Sequence, residues 1–160
     1  MNATNNPGFC GGPAESGRVT ACLSIRYRRL AKEVLSRLPA GWNAGHVICI
    51  EETLTAHSRH VYAYTFLLQS RAEHAWLISL YTPNLDELSD KAVCWLLARE
   101  FGRVASQVPL RQRLWWRGKG DQRSPQRLAE QKALEWGFAE ECRQFECERP
   151  NDIPQTKLSA

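Results

Sequence analysis

The sequence predicts one domain of the α+β class, with an N-terminal helix, a small antiparallel-rich sheet of about three strands and two C-terminal helices. Three consecutive strand-like segments carry this prediction, together with helical apolar spacing before and after them. The connectors between the strands are short and polar, which favours an antiparallel meander over crossover units. A chain of 160 residues is long enough to bury one core of its own.

Composition divides the chain into three stretches. Residues 1–21 are rich in Gly, Asn, Ser and Pro, and we predict a flexible lead there. Residues 22–147 carry the apolar periodicity and are predicted to form the single domain, while residues 148–160 are predicted to be a polar tail. The first helix of the domain is predicted over residues 23–38 and ends at Pro39.

Three strands are predicted next, over residues 46–52, 61–68 and 74–81. They are rich in β-branched and aromatic side chains, as strands of a half-buried sheet are. Pro83 follows the last strand and breaks the sheet.

The longest well-patterned helix is predicted over residues 90–109. One apolar stripe is formed by Val93, Leu97, Phe101, Val104 and Val108. A second stripe comprises Leu85, Leu88, Ala92 and Leu96. It continues in register into Arg99 and Arg103, so charged side chains occupy positions where an apolar face should continue.

The last helix is predicted over residues 125–146. Ser124-Pro125 is a favourable start, a capping residue followed by proline at the first helical position. The buried side of this helix is predicted to comprise Leu128, Leu134, Phe138, Cys142 and Phe145.

Basic charge is concentrated in one stretch, although the net charge of the chain is only +4. Residues 110–127 hold six basic residues and one acidic residue, interleaved with two tryptophans. The candidate binding residues are Arg111, Arg113, Trp115, Trp116, Arg117, Lys119, Arg123 and Arg127. Such arginines and indoles suit phosphates and stacked bases, and they equally suit a protein partner. A third interpretation is structural, with the indoles covering the elements below and the arginines solvated.

The sequence predicts a cytoplasmic protein without membrane contact. No apolar run approaches the roughly 18 residues of a membrane span, and the N-terminus lacks a signal-peptide pattern. The six cysteines form no CxxC pair, so free thiols are expected. His57 and His60 could hold a metal only if a helical turn formed there, and more often such residues are surface loop residues. We predict no cofactor.

Residues 98–104, Ala-Arg-Glu-Phe-Gly-Arg-Val, resemble the active-site helix of zincin metallopeptidases, A-H-E-F-G-H-V, with both histidines replaced by arginine. In gluzincin-type members of this HExxH class, a glutamate at the start of a later helix is the third zinc ligand. Gln126 stands at the corresponding place, four residues before Glu130. Residues 133–138 also resemble the continuation in small bacterial members, so the resemblance covers roughly residues 23–145.

The resemblance implies a zincin-like fold with a degenerate metal site. Arg99 and Arg103 remain protonated and cannot donate a lone pair to zinc, and only Glu100 keeps the type of its family counterpart. The two arginines would bring the charge of the missing ion, and Glu100, Glu130 and Glu135 could pair with them.

The implied function is that of a non-catalytic protein, a pseudo-metallopeptidase that binds another protein with acidic character and regulates or inhibits a larger complex. One alternative is a nucleic-acid-binding module that uses residues 110–127. Another alternative is a metallopeptidase with an atypical metal site.

Overall fold

A computed structural model describes residues 17–55, 61–69, 74–106 and 125–149. Over these ranges the architecture is mixed α/β, with a four-stranded sheet and five helices. In chain order the elements are β1 (Arg18–Cys22), α1 (Ile25–Arg37), β2 (Val47–Thr53), β3 (Ala63–Gln69), β4 (His74–Tyr81), α2 (Thr82–Leu85), α3 (Asp90–Ser106), α4 (Pro125–Glu135) and α5 (Ala139–Glu148).

The predicted antiparallel meander is wrong, because the strand order in the sheet is β1-β2-β4-β3. Strand β2 pairs in parallel with both β1 and β4, and only β3 and β4 are antiparallel. Strands β2 and β3 are consecutive in the chain but are not neighbours in the sheet. The later strand β4 lies between them and pairs with both. Strand β3 therefore lies at one edge of the sheet.

The fourth strand, β1, lies largely within the predicted flexible lead. It runs beside β2 in a parallel register that places Val19 opposite Ile48. Val19 is buried and belongs to the hydrophobic core. The rest of the predicted lead, residues 1–16, lies outside the described residues, as does most of the predicted polar tail.

The core lies between one face of the sheet and the helices. Side chains at alternating strand positions are buried on this face: Val19, Ile48, Ile50, Trp76, Ile78 and Leu80. Helix α3 packs against α1, α4, α5 and β3 and is buried almost all round. Such burial identifies α3 as the central helix of the helical layer.

The helix predicted over residues 125–146 is in fact two helices, α4 and α5. Gly137 has a φ of +88°, and its N–H donates to the Leu134 carbonyl at 2.9 Å. The N–H of Phe138 donates to the Ala133 carbonyl at 3.3 Å, which completes a Schellman motif. Because α4 ends there, Leu134 is exposed and does not join the buried side that was predicted for it; Ala129 and Ala133 are buried instead.

Helix α4 packs directly on the backbone of α3. A Cβ atom added to Gly102 would lie 2.5 Å from the carbonyl oxygen of Ala129, so only glycine permits this approach. The start of α4 at Pro125 is as predicted. The contact sets the position of α4 beside the Arg99–Arg103 turn of α3.

The beginning of α3 is held by α1 through charged groups. The Nε atom of Arg26 donates to Asp90 Oδ1 at 3.0 Å, and Arg29 pairs with Asp90 Oδ2. These two hydrogen bonds hold the pKa of Asp90 below its ordinary value. The Nη2 atom of Arg26 also donates to the Leu88 carbonyl at 2.7 Å, so one arginine connects α1 to the segment that leads into α3.

None of the helices in the described ranges is both long enough and apolar enough to cross a membrane.

Candidate functional site

The candidate site is a charge cluster on α3 that is formed by Arg99, Glu100 and Arg103. Because α3 is the central helix, Glu100 points towards the sheet, where it contacts Thr65 of β3. The side chain of Glu100 is 1% exposed, whereas those of Arg99 and Arg103 are 14% and 28% exposed. The carboxylate is therefore the buried centre of the cluster, and the guanidinium groups extend towards its rim.

Both carboxylate oxygens of Glu100 are engaged. Oε1 accepts hydrogen bonds from Nε and Nη2 of Arg99 at 3.1 and 3.0 Å. Oε2 accepts a hydrogen bond of 2.6 Å from the hydroxyl of Thr65 on β3. The Nε atom of Arg103 also lies 3.0 Å from Oε2, but this contact is an ion pair only, because Nε has no hydrogen-bond partner.

The charges of the cluster do not cancel. Two guanidinium groups share one carboxylate, so the three side chains sum to +1. A buried carboxylate is tolerated only when it is paired and hydrogen-bonded, and Glu100 meets both conditions. The excess positive charge reaches the surface mainly at Arg103, which is the most exposed member.

This arrangement is unsuited to the zincin mechanism. A general base needs a carboxylate oxygen that can reach a water molecule or substrate, and both oxygens of Glu100 are occupied by side chains of the protein. Arginine supplies hydrogen-bond donors but no metal-ligating lone pair. Within the part of the chain that the structure describes, no group of three or more His, Cys, Asp or Glu side chains is placed to hold a metal ion.

The predicted third-ligand position lies on α4. Gln126 is exposed, and its Nε2 atom donates to Glu130 Oε1 at 3.0 Å along the same helix. Among the described residues, no hydrogen bond or ion pair joins Gln126 or Glu130 to Arg99 or Arg103.

The arginines were expected to pair with Glu130 and Glu135 as well as with Glu100. Glu135 instead pairs with Lys132 at 2.9 Å on α4. Of the described acidic residues, Glu100 alone forms ion pairs with Arg99 and Arg103. The cluster therefore connects α3 to strand β3 through Thr65, and not to α4.

Most of the predicted binding stretch lies outside the described residues. Arg127 is the exception, and it is exposed on α4. The histidine pair His57 and His60 also lies outside the described ranges. The α3 cluster therefore lies within the described residues. The binding role of residues 110–127 stays a prediction from the sequence.

Thr65 is the one member of the cluster that the sequence analysis did not find. Its position in a strand was predicted, but a threonine there is ordinary, since β-branched residues are common in strands. Alternation within β3 places Thr65 on the face of the sheet that meets α3. Only the packing of α3 against β3 identifies its hydroxyl as a partner of Glu100.

Compared with models of protein families, with curated proteins and with solved structures, the chain has no significant match.

Proposed function

We propose that this chain is a non-catalytic, zincin-like binding protein that recognises an acidic group of a partner protein through Arg99 and Arg103. The observation that carries the proposal is the state of Glu100, whose two oxygens are engaged by Arg99 and Thr65, with Arg103 beside them. A carboxylate held in this way serves to anchor the arginines and is not available to activate water.

The charge and exposure of the cluster favour an acidic partner. Glu100 neutralises only one of the two guanidinium groups, so Arg103 presents positive charge that a second carboxylate could meet. Guanidinium groups bind carboxylates through two parallel hydrogen bonds, which gives both energy and orientation. A partly buried arginine is also less screened by salt than a fully exposed one. In the cytoplasm, such a contact would suit a regulator or inhibitor of a larger complex.

The metal content of the purified protein tests the non-catalytic part of the proposal. We expect substoichiometric zinc and a melting temperature that does not change when a chelator is added. One zinc per chain would contradict the proposal and would favour the alternative of a metallopeptidase with an atypical metal site.

Fluorescence anisotropy with a labelled oligo-glutamate peptide tests the binding part. We expect Arg103→Gln to weaken binding by about tenfold, because one charge-assisted, bidentate contact is lost. Arg143→Gln is the matched control, because it removes the same charge from an exposed position on α5. Equal weakening by both substitutions would show that the peptide responds to net charge and not to this cluster.

A nucleic-acid-binding function is the second candidate, and the interleaved arginines and tryptophans of residues 110–127 favour it. In the same assay, a single-stranded oligonucleotide should then bind with a steep salt dependence. The double substitution Arg113→Ala/Trp116→Ala should abolish that binding. Tight oligonucleotide binding with no binding of oligo-glutamate would favour this function over the first.

The zincin likeness has its own test. The triple substitution Arg99→His, Arg103→His and Gln126→Glu restores the three ligand types and leaves Glu100 in place. If the likeness is correct, this variant should bind one zinc ion, and isothermal titration calorimetry measures the gain. Absence of zinc binding in a folded variant would count against the zincin assignment.

A further inference from the structure

Within the described sheet, strand β3 is an edge strand that pairs with β4 on one side only. Tyr81 donates its N–H to the Tyr62 carbonyl at 2.9 Å, so these directly opposed residues form a hydrogen-bonded pair of the antiparallel ladder. In such a ladder hydrogen-bonded pairs alternate with pairs that have no hydrogen bond. Tyr64, Phe66 and Leu68 therefore direct their backbone groups towards β4.

The remaining residues of β3 direct their N–H and C=O groups away from β4. They are Ala63, Thr65, Leu67 and Gln69. No described strand lies beyond β3 in the sheet. An edge of this kind is a template for another strand, and many proteins protect such edges with charged residues, prolines or bulges.

Strand β3 lacks these protective residues. Its seven residues, Ala-Tyr-Thr-Phe-Leu-Leu-Gln, include no charge and no proline. Phe66 and Leu68 are 50% and 46% exposed on the face of the sheet opposite the core, and the Tyr64 ring stacks on Phe66 with ring centroids 5.8 Å apart. The other edge strand, β1, differs because it begins with exposed Arg18.

We propose that β3 is a homodimer interface, in which the β3 strands of two copies pair in antiparallel across a twofold axis at Phe66. Residue 66 is the midpoint of the strand, so pairing about it uses all seven residues. Thr65 then faces Leu67 of the second copy, and Ala63 faces Gln69, so every outward backbone group finds a partner. The two sheets join into one continuous sheet of eight strands.

The side chains also match across this axis. Phe66 faces its own copy in a pair without hydrogen bonds, the kind in which side chains approach most closely. Tyr64 faces Leu68 on the same side, so the apolar row of one copy lies directly beside that of the other. Aromatic and aliphatic cross-strand pairs of this kind stabilise antiparallel sheets, and no like charges are brought together.

A second copy fits this edge better than an arbitrary strand does, because the twofold axis uses the same residues twice. The same seven residues supply both sides of the interface, so the apolar row and the hydrogen-bond pattern are complementary without any further sequence. Thr65 also contacts Glu100, which places the dimer interface beside the charge cluster.

Sedimentation equilibrium over a range of protein concentrations tests the proposal. We expect a monomer–dimer equilibrium for the wild-type protein. Phe66→Lys should raise the dimer dissociation constant by about tenfold or more, because two lysines would face each other at the axis and the apolar contact is lost. Ile25→Lys is the matched control, because it makes the same change at a side chain that is 87% exposed on α1, and its dissociation constant should equal that of the wild type.

A charge-swap experiment tests the register itself. Phe66→Glu alone should weaken the dimer as Phe66→Lys does. An equimolar mixture of Phe66→Lys and Phe66→Glu should instead form heterodimers more tightly than either variant forms homodimers, because opposite charges then meet at the axis. Circular dichroism confirms that each variant is folded. A wild-type chain that stays monomeric at every concentration would overturn the proposal. So would a dimer whose dissociation constant Phe66→Lys leaves unchanged, or a mixture that associates no more tightly than the single variants.

Discussion

The two ends of helix α3 each hold one carboxylate between two arginines, but in opposite surroundings. At the start of the helix, Asp90 pairs with Arg26 and Arg29 of α1, and its side chain is 44% exposed. Near the end, Glu100 pairs with Arg99 and Arg103, and its side chain is 1% exposed. The ion-pair distances are similar, but the clusters differ in burial and also in charge, because Arg26 pairs with Asp86 as well, at 3.3 Å.

Burial determines what each cluster contributes. Around Asp90, water and salt screen the ion pairs, and losing the carboxylate leaves arginines that water can solvate. Around Glu100, the charges have already been desolvated, and losing the carboxylate leaves two guanidinium groups of like charge side by side. The exposed cluster is therefore expected to contribute little to the free energy of unfolding. Removing a single charge from the buried cluster is expected to be strongly destabilising.

The largest effect is expected for Glu100→Leu. This change should lower the free energy of unfolding by about 3–5 kcal/mol, because it leaves Arg99 and Arg103 without their shared partner in a largely buried site. Urea denaturation followed by circular dichroism measures the loss. Glu87→Leu, at an exposed position, is the control and should cost little. If Glu100→Leu lowered the free energy of unfolding by less than about 1 kcal/mol, as an ordinary surface substitution does, the prediction would be wrong.

A smaller loss is expected for Thr65→Val, which keeps the shape of the side chain but removes the hydroxyl donor to Glu100. Hydrogen bonds to charged groups contribute about 1.5–3 kcal/mol, so a loss in that range is expected. The control is the same substitution in a Glu100→Gln background, where the loss should shrink because the charged acceptor is gone. Equal losses in both backgrounds would mean that the hydroxyl contributes through something other than Glu100.

The smallest effect is expected for Asp90→Asn, about 1 kcal/mol at pH 7. The pKa of Asp90 is lowered in the folded state, so its contribution is present above the unfolded-state pKa and is lost as the pH falls through the folded value. The stability gap between wild type and variant should therefore close as the pH falls below the ordinary aspartate value of 3.8.

Salt gives a further contrast between the two clusters. Adding 0.5 M sodium chloride should reduce the Asp90→Asn effect and leave the Glu100→Leu effect largely unchanged, because screening acts on exposed charges. If salt reduced both effects to the same extent, the difference in burial would not be what separates the two clusters.

The sequence predicted the positions of most elements, since their signals are local. The apolar periodicity identified α1 and α3, and runs rich in β-branched and aromatic residues identified β2, β3 and β4. The break between α4 and α5 also has a local signal, because Gly137 is followed by an apolar residue, as at many helix ends. The apolar periodicity continues past Gly137, however, and it favoured one continuous helix.

The strand order could not be predicted in the same way, because it depends on contacts between residues far apart in the chain. Short β1 owes its place to pairing with β2, and no local pattern marks β4 as the neighbour of β2. The same limit applies to the site. Helical spacing placed Arg99 and Arg103 near each other, but the burial of Glu100 follows from the position of β3 against α3.

We propose that Glu100 serves as the ion-pair partner of Arg99 and Arg103 and not as a catalytic base. The free energy of unfolding of the triple variant Arg99→Met/Glu100→Leu/Arg103→Met tests it most directly, because that variant removes all three charges and keeps their volume. If Glu100 acts as the partner of the two arginines, the free energy of unfolding of the triple variant should be within about 1 kcal/mol of that of the wild type. Glu100→Leu alone should lower it by about 3–5 kcal/mol. A triple variant no more stable than Glu100→Leu alone would contradict the claim.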